Sequence, residues 1–184
     1  MRYPERVNEV LFNLLASHDT ARVLTQLGGD KRKLKLAVAF QLTFTGTPCV
    51  YYGDEIGLEG EGDPDCRKSM IWDVDQQDLE LRQSYRQLIR LRKEHSTLYT
   101  GHFNFLKADT QERSLIYERY DGEGHFTIWM NPAEEPVTLS YALAGHWQDA
   151  FTGEAVSSAD DGQVKILLKP YGYKILKFIN LINN

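Results

Sequence analysis

Cysteine is nearly absent: the chain of 184 residues holds only Cys49 and Cys66. Two thiols make neither a tetrahedral zinc site nor a disulfide scaffold, and they fit a reducing, cytoplasmic compartment. Long apolar runs are missing too. No stretch reaches the about 18–20 residues that a membrane span needs, and MRYPERVNEV at residues 1–10 lacks the charged and apolar regions of a signal peptide. Excess positive charge is absent: 21 Lys and Arg stand against 26 Asp and Glu, for a net charge of −5. That balance leaves no electrostatic footprint for nucleic acid or an anionic membrane surface. No G-x-S-x-G, H-E-x-x-H or P-loop pattern occurs, and the acidic stretch 59–65 lacks the ligand spacing and terminal glutamate of an EF-hand loop. No metal and no cofactor is therefore expected. What remains is a globular composition, 42% hydrophobic and 26% charged, sized for one or two domains.

Two periodicities divide the chain. The first half is helical, with one short strand. ARVLTQL (21–27) reads as a short helix with Asp19 as a candidate N-cap and Gly28-Gly29 as its stop. KRKLKLAVAFQLTF (31–44) follows the cap residue Asp30, carries apolar residues on most sides and ends before Gly46. TPCVYY (47–52) has the composition of a buried parallel strand. A glycine- and acid-rich loop then runs from Gly53 to Trp72, and long loops after strands tend to carry function. Asp75 or Asp78 caps the next helix, which buries Leu81, Tyr85, Leu88 and Ile89 and turns Arg82, Arg86, Arg90 and Lys93 to solvent.

From about residue 100 the period becomes two. HFNFLK, SLIYERY, HFTIWMN, PVTLSY, HWQDAF, VKILLK and YKILKFI read as strands, broken by the turn DGEG (121–124) and by Gly145, Gly153, Gly162 and Gly172. This spacing predicts an antiparallel β-sandwich. The expected domains are 1–94 and 95–184, an α/β part followed by an all-β part.

Residues 1–94 contain too few strand–helix units to close a parallel fold, which needs strands on both sides and helices over both faces. A (β/α)₈ TIM barrel takes about 250 residues, so this part suits only the last portion of one. The open edge of such a piece invites self-association.

NLLASHDTAR (13–22), GTPCVYYGDE (46–55) and DPDCRKSMIWD (63–73), in this order and followed by a predicted sandwich, resemble the C-terminal end of the α-amylase family of glycoside hydrolases. The similarity is greatest to its neopullulanase, cyclomaltodextrinase and maltogenic amylase group, and it covers essentially the whole chain. The resemblance implies that the first motif ends the seventh barrel strand and that the second forms the eighth strand and its loop. It also implies a C-terminal part of a retaining enzyme that cleaves α-1,4-glucosidic bonds in an α-glucan.

The same resemblance implies roles for individual residues. Asp19 matches the third of three active-site carboxylates, a transition-state stabiliser that accepts hydrogen bonds from the 2- and 3-hydroxyls of the sugar as its ring flattens. His18 donates to the same hydroxyls. The nucleophile and general acid arise on earlier strands of the family, so the 184-residue chain by itself is expected to be inactive. Asp63 and Arg67 match positions that contact a glucose unit beyond the cleavage point, whereas the bare residues read as a surface pair at i, i+4. Arg22 completes the H-D-x-x-R pattern, either as a substrate contact or as a binder of the helix or of a neighbouring carboxylate. Glu55 matches a structural position, and the glycines around Glu59, Glu61, Asp63 and Asp65 suggest a loose loop. Tyr51 and Tyr52 are expected in core and wall.

A different reading makes residues 95–184 a non-catalytic carbohydrate-binding or structural module. Its candidate platforms are Trp129, Trp147, Tyr171 and Tyr173. The two tryptophans fit the core better, because each lies in an alternating strand.

Overall fold

The computed structural model describes residues 4–159 and 161–179; the expected domain limits at residues 1 and 184, and the first three residues of the leader reading, lie outside them. The chain divides into two compact units, Met1–Glu94 and His95–Asn184. No helix among the described residues is long and apolar enough to cross a membrane.

The first unit contains α1 (Glu5–Asn8), β1 (Phe12–Leu14), α2 (Val23–Gln26), α3 (Lys31–Thr43), β2 (Thr47–Cys49) and α4 (Leu79–Glu94). β1 and β2 pair in parallel, Phe12 opposite Thr47 and Leu14 opposite Cys49, and the link between them carries α2 and α3. Asp30 caps α3 as expected, its side chain accepting from the Arg32 amide at 2.9 Å. Gln41 on α3 ties the helix to the strands, donating from Nε2 to the carbonyls of Asn13 and Cys49, each at 2.9 Å.

Several sequence expectations change here. β1 is only three residues long, too short to show a period. The strand foreseen over 47–52 stops at Cys49; Val50 to Tyr52 leave the ladder because the chain turns at Gly53, whose φ of +87° and approach to Leu58 leave no room for a Cβ. Asp19 does not cap α2, which starts at Val23 with Arg22 in the cap position. Asp78, not Asp75, caps α4, accepting from the Leu81 amide at 2.8 Å. Leu81, Tyr85 and Leu88 are buried as foreseen, but Ile89 is exposed, and Leu91 and Arg92 take the inner face. Arg92 goes inward because α3 ends there with free carbonyls. Its guanidinium donates to the carbonyls of Leu42 at 2.8 Å, Phe44 at 3.0 Å and Gly46 at 2.6 Å.

The second unit begins with α5 (Thr97–Thr100). β3 (His102–Asp109), β4 (Ser114–Tyr120), β5 (His125–Met130), β6 (Val137–Ala142), β7 (His146–Asp149), β8 (Ala155–Val156), β9 (Gln163–Leu168) and β10 (Tyr173–Ile179) follow. One antiparallel sheet runs β3-β4-β5-β10-β7-β8, and β6-β9 forms a second layer. Ile116, Trp129, Trp147 and Leu176 of the large sheet share a core with Leu139, Val164, Ile166 and Leu168 of the small one. β8 was not foreseen, since two residues carry no period. Asp121 closes the DGEG turn, accepting from the amides of Glu123 and Gly124 and from the Thr97 hydroxyl.

Arg119 ends α5 as Arg92 ends α3. It is fully buried and donates to the carbonyls of Leu98 at 2.9 Å, Gly101 at 2.8 Å and His102 at 3.3 Å. Trp129 and Trp147 are buried core residues, Trp129 donating to the Thr127 hydroxyl and Trp147 to the Ala144 carbonyl. They therefore present no ring to a ligand, and Tyr171 and Tyr173 are half-buried.

Candidate functional site

The segment between β1 and α2 is a tight turn built by its own polar side chains. The Ser17 hydroxyl accepts from the Asp19 amide at 3.1 Å, while the Ser17 amide donates to the Thr20 hydroxyl at 3.2 Å. With the backbone satisfied locally, the side chains of His18 and Asp19 are free to project; they are 62% and 70% exposed, with His18 Nε2 3.2 Å from Asp19 Oδ1.

The long loop after β2 meets this turn. Cys66 and Arg67 lie in a short 3₁₀ turn, Asp65–Arg67, and both reach the His18 carbonyl. Arg67 Nε donates to it at 3.0 Å, and the buried Cys66 thiol at 3.4 Å. Arg67 also joins the two carboxylates: its Nε is 3.0 Å from Asp63 Oδ1 and its Nη2 is 3.7 Å from Asp19 Oδ1. His18 and Asp19 on one segment and Asp63 and Arg67 on another thus form one solvent-facing cluster.

The loop is not loose, contrary to what its glycines suggest. Gly60 accepts from the Arg22 amide at 2.8 Å and donates to the Thr25 hydroxyl at 2.8 Å, so it is stitched to α2 on both sides. Asp65 accepts from the Glu61 amide at 2.8 Å and pairs with Lys68 at 3.0 Å. These two partners, Lys68 foremost, hold the Asp65 carboxyl below its usual range. Ile56, Leu58 and Cys66 are buried anchors within the same loop.

Arg22 departs from the expectation of substrate contact. It is fully buried, so its guanidinium cannot reach a ligand in solvent, and the neighbouring-carboxylate alternative holds instead. Nη1 donates to the Tyr52 carbonyl and to Asp54 Oδ1, the latter at 3.3 Å. The guanidinium carbon lies 4.2 Å from the Tyr51 ring centre and 4.6 Å from that of Tyr52. Nε and Nη2 have no hydrogen-bond acceptor among the described residues, and the two rings provide cation–π contact in their place. Burial pushes the Asp54 carboxyl up to about 6 despite the downward pull of Arg22. Glu55 Oε2 accepts from the Gly53 amide at 2.8 Å, which ties this side chain into the turn after β2. The tyrosines close the wall, Tyr51 donating to the Cys66 carbonyl at 3.4 Å and Tyr52 to that of Lys68 at 2.8 Å.

Sequence reasoning missed Asp54 as the partner of Arg22, and Cys66 and Ser17 as supports of the turn. Only Ser17, a hydroxyl two residues before Asp19, carried a local signal. Among the described residues, no group of three or more His, Cys, Asp or Glu side chains is placed to hold a metal ion.

Carboxylates and a guanidinium side by side offer acceptors and donors at hydrogen-bonding distance, a set suited to vicinal hydroxyls. Comparison with known proteins gives this cluster its context. Residues 1–114 match the family model for the α-amylase catalytic domain, and residues 103–175 match that for the maltogenic amylase C-terminal domain. A cyclomaltodextrinase of Geobacillus thermopakistaniensis is 46% identical over 174 residues, covering 93% of this chain and 29% of that protein. Neopullulanase 2 of Thermoactinomyces vulgaris is 42% identical over 180 residues, 96% of this chain and 31% of its own length. A solved cyclomaltodextrinase structure superposes with a TM-score of 0.86 at 43% identity, covering 95% of this chain and 30% of that one. The chain thus spans under a third of the length of these relatives, and it belongs to the α-amylase family of glycoside hydrolases.

Proposed function

We propose that this chain is the C-terminal part of a retaining α-glucan hydrolase acting on α-1,4-glucosidic bonds in cyclomaltodextrins, pullulan or maltooligosaccharides. The observation that carries the reading is the single exposed cluster of His18, Asp19, Asp63 and Arg67, in a chain similar to enzymes named cyclomaltodextrinase and neopullulanase. Residues 1–94 would be the last portion of a (β/α)₈ barrel, supported by the parallel β1–β2 pair and its helical crossover. Residues 95–184 would be an antiparallel β-sandwich, supported by two sheets around one core. A cytoplasmic location belongs to the same reading; two free cysteines and a relative named intracellular maltogenic amylase support it.

Retaining hydrolysis uses a nucleophile and a general acid about 5–5.5 Å apart. In this reading both come from the preceding part of the enzyme, and the present residues hold the sugar. Asp19 accepts from the 2- and 3-hydroxyls, and those bonds strengthen as the ring flattens and positive charge develops, worth several kcal/mol in the transition state. His18 donates to the same hydroxyls. Asp63 accepts from, and Arg67 donates to, a glucose beyond the cleaved bond. Arg67 also holds the His18 carbonyl, so it supports the turn that presents Asp19. Arg22 is a buried strut beneath the turn rather than a sugar contact.

Joining this chain to the preceding part of the Geobacillus cyclomaltodextrinase tests the roles. Asp19→Asn should lower kcat by several orders of magnitude with the fold intact, and a loss under about tenfold contradicts the stabiliser role. The chain alone should release no reducing sugar from cyclodextrin.

A further inference from the structure

The six-stranded sheet of the second unit is roofed over only part of one face. Ile116 on β4, Trp129 on β5, Trp147 on β7 and Leu176 on β10 share a core with β6 and β9. Strand alternation puts every second residue on that same face. Along β4 these are Glu118 and Tyr120; Thr127 and His125 on β5 stand opposite them on one side, and Asn104 and His102 on β3 on the other. Thr127 is buried, its hydroxyl accepting from Trp129. Beyond it the face opens: Tyr120 is 39% exposed, the side chains of His125 and Glu118 are 34% and 15% exposed, and His102 and Asn104 are exposed. The described residues of β6 and β9 thus cover the Ile116–Trp129 row and leave this end of the sheet to solvent.

The open end is organised by its own contacts. Glu118 links the strands on either side: its Oε1 accepts from Asn104 Nδ2 at 3.1 Å, and its Oε2 lies 2.7 Å from His125 Nε2. Beside this polar row runs a row of rings. His102 and Tyr120 have centres 5.4 Å apart, Tyr120 and His125 5.8 Å, and the buried Trp147 ring backs His125 at 4.9 Å. Three strands spaced about 4.8 Å apart make the platform about 10 Å wide. Its chemistry narrows the ligand. Rings accept the C–H face of a sugar, while a carboxylate, an amide and imidazoles offer acceptors and donors to hydroxyls, which both give and take. Glu118 repels phosphate and other anions, and each of its oxygens already faces a donor, so the face does not call for a bare cation. A neutral, polyhydroxylated chain fits.

We propose that His102, Asn104, Glu118, Tyr120 and His125 form a second, non-catalytic binding face that takes one or two units of an α-1,4-linked glucan. Tyr120 stacks on a sugar ring, and Asn104, Glu118 and His125 bond its hydroxyls. The α-1,4 linkage rests on the reading of the chain as part of an α-glucan hydrolase, whereas the choice of a neutral sugar rests on the face itself. A short sugar at millimolar concentration leaves so open a face mostly empty; a polymer presents many units to it and raises its occupancy.

The test is affinity electrophoresis of the 184-residue chain in native gels with and without amylopectin, a branched α-1,4-linked glucan. Every sample carries Asp19→Asn and Arg67→Ala, which takes the candidate site of the first unit out of the measurement. This background chain should still be retarded by amylopectin. Adding Tyr120→Ala should weaken its apparent affinity by about fivefold or more, and Asn104→Ala should weaken it too. Circular dichroism and tryptophan emission should match the background chain, because both side chains are exposed; Asn104→Ala decides the matter if Tyr120→Ala fails to fold. Leu167→Asp, at an exposed site on β9, should leave the retardation unchanged. A background chain that is not retarded, or retardation indifferent to both Tyr120 and Asn104, overturns the second face. Cyclodextrin cleavage by the chain joined to the preceding part of the Geobacillus cyclomaltodextrinase is read separately. Tyr120-dependent retardation without cleavage supports the face and counts against the proposed hydrolase; cleavage without retardation does the reverse.

Discussion

The two units each bury an arginine at a helix end, and the first unit buries another that is treated differently. Arg92 and Arg119 each spread their guanidinium over three backbone carbonyls. Arg22 faces one carbonyl and one buried carboxylate, with Nε and Nη2 left without acceptors among the described residues. The guanidinium satisfies the orphan carbonyls of a helix end, and their geometry comes with the helix. A carboxylate must itself be taken out of water, and the pair is stable only when further bonds complete it. The contrast separates arginines that finish a fold from one that underlies the candidate site.

The same contrast runs through the units as wholes. In the second, alternation along the strands buries a core between two layers. In the first, exposed apolar side chains on β1 and a two-stranded parallel ladder leave a face that the described residues of the unit do not cover.

The sharpest way to break the first comparison is to remove the carbonyl-binding arginines. Arg119→Met strands three carbonyls around α5 and should cost about 3 kcal/mol or more. Urea unfolding followed by tryptophan emission reads it, because Trp129 and Trp147 are buried in that unit while Trp72 is 81% exposed. A shift under about 1 kcal/mol would deny the cap role. Arg92→Met should cost a similar amount, read by amide exchange in α3.

Arg22 should respond otherwise. Arg22→Met leaves Asp54 buried without its partner, so the first unit should lose stability at neutral pH by about 3 kcal/mol and recover part of it in mild acid, where the carboxyl is protonated. A pH-independent loss would show that Asp54 does not carry charge there.

A smaller effect separates the units by pH. The Asp54 carboxyl titrates at about 6, above its ordinary 3.8, so the folded state holds the proton more tightly and stability falls as pH rises through that window. Asp54→Asn should flatten this slope. For Asp149 in the second unit, burial acts upward, but Lys174 and the amides of Thr152 and Phe151 outweigh it and hold the carboxyl below the usual range. Its contribution is present above the ordinary value and is lost as pH falls. Carbonyl carbon shifts of the two residues, followed from pH 3 to 8, distinguish the two signs; parallel titration curves would erase the distinction.

Least of all, Arg67→Ala should change stability by about 1 kcal/mol or less, since its ion pairs are exposed. In the proposed reading its consequence belongs to ligand binding.

What could be read in advance follows the range of the interaction. The sheet unit was legible because alternation and glycine breaks are local; Gly145, at φ +86° with the Phe178 ring where a Cβ would stand, is one such break. Asp30 and Asp78 were legible as caps because the bond spans two or three residues. Ile89 reads as core and Arg92 carries no sign of its inward position, because nothing near them in sequence announces the open carbonyls of α3. At the site, His18, Asp19, Asp63 and Arg67 were found through motif resemblance, whereas the Arg22–Asp54 pair joins residues whose proximity only the folded chain reveals. The acidic loop looked loose by composition and is held by Gly60, Cys66 and Asp65.

Titration of the ¹⁵N-labelled chain with maltotriose tests the central claim most directly. The account predicts amide shifts at millimolar sugar concentrated over Ser17–Thr20 and Asp63–Lys68, reduced in Arg67→Ala and Asp19→Asn. Shifts confined to residues 95–184, or none at either segment, would contradict it.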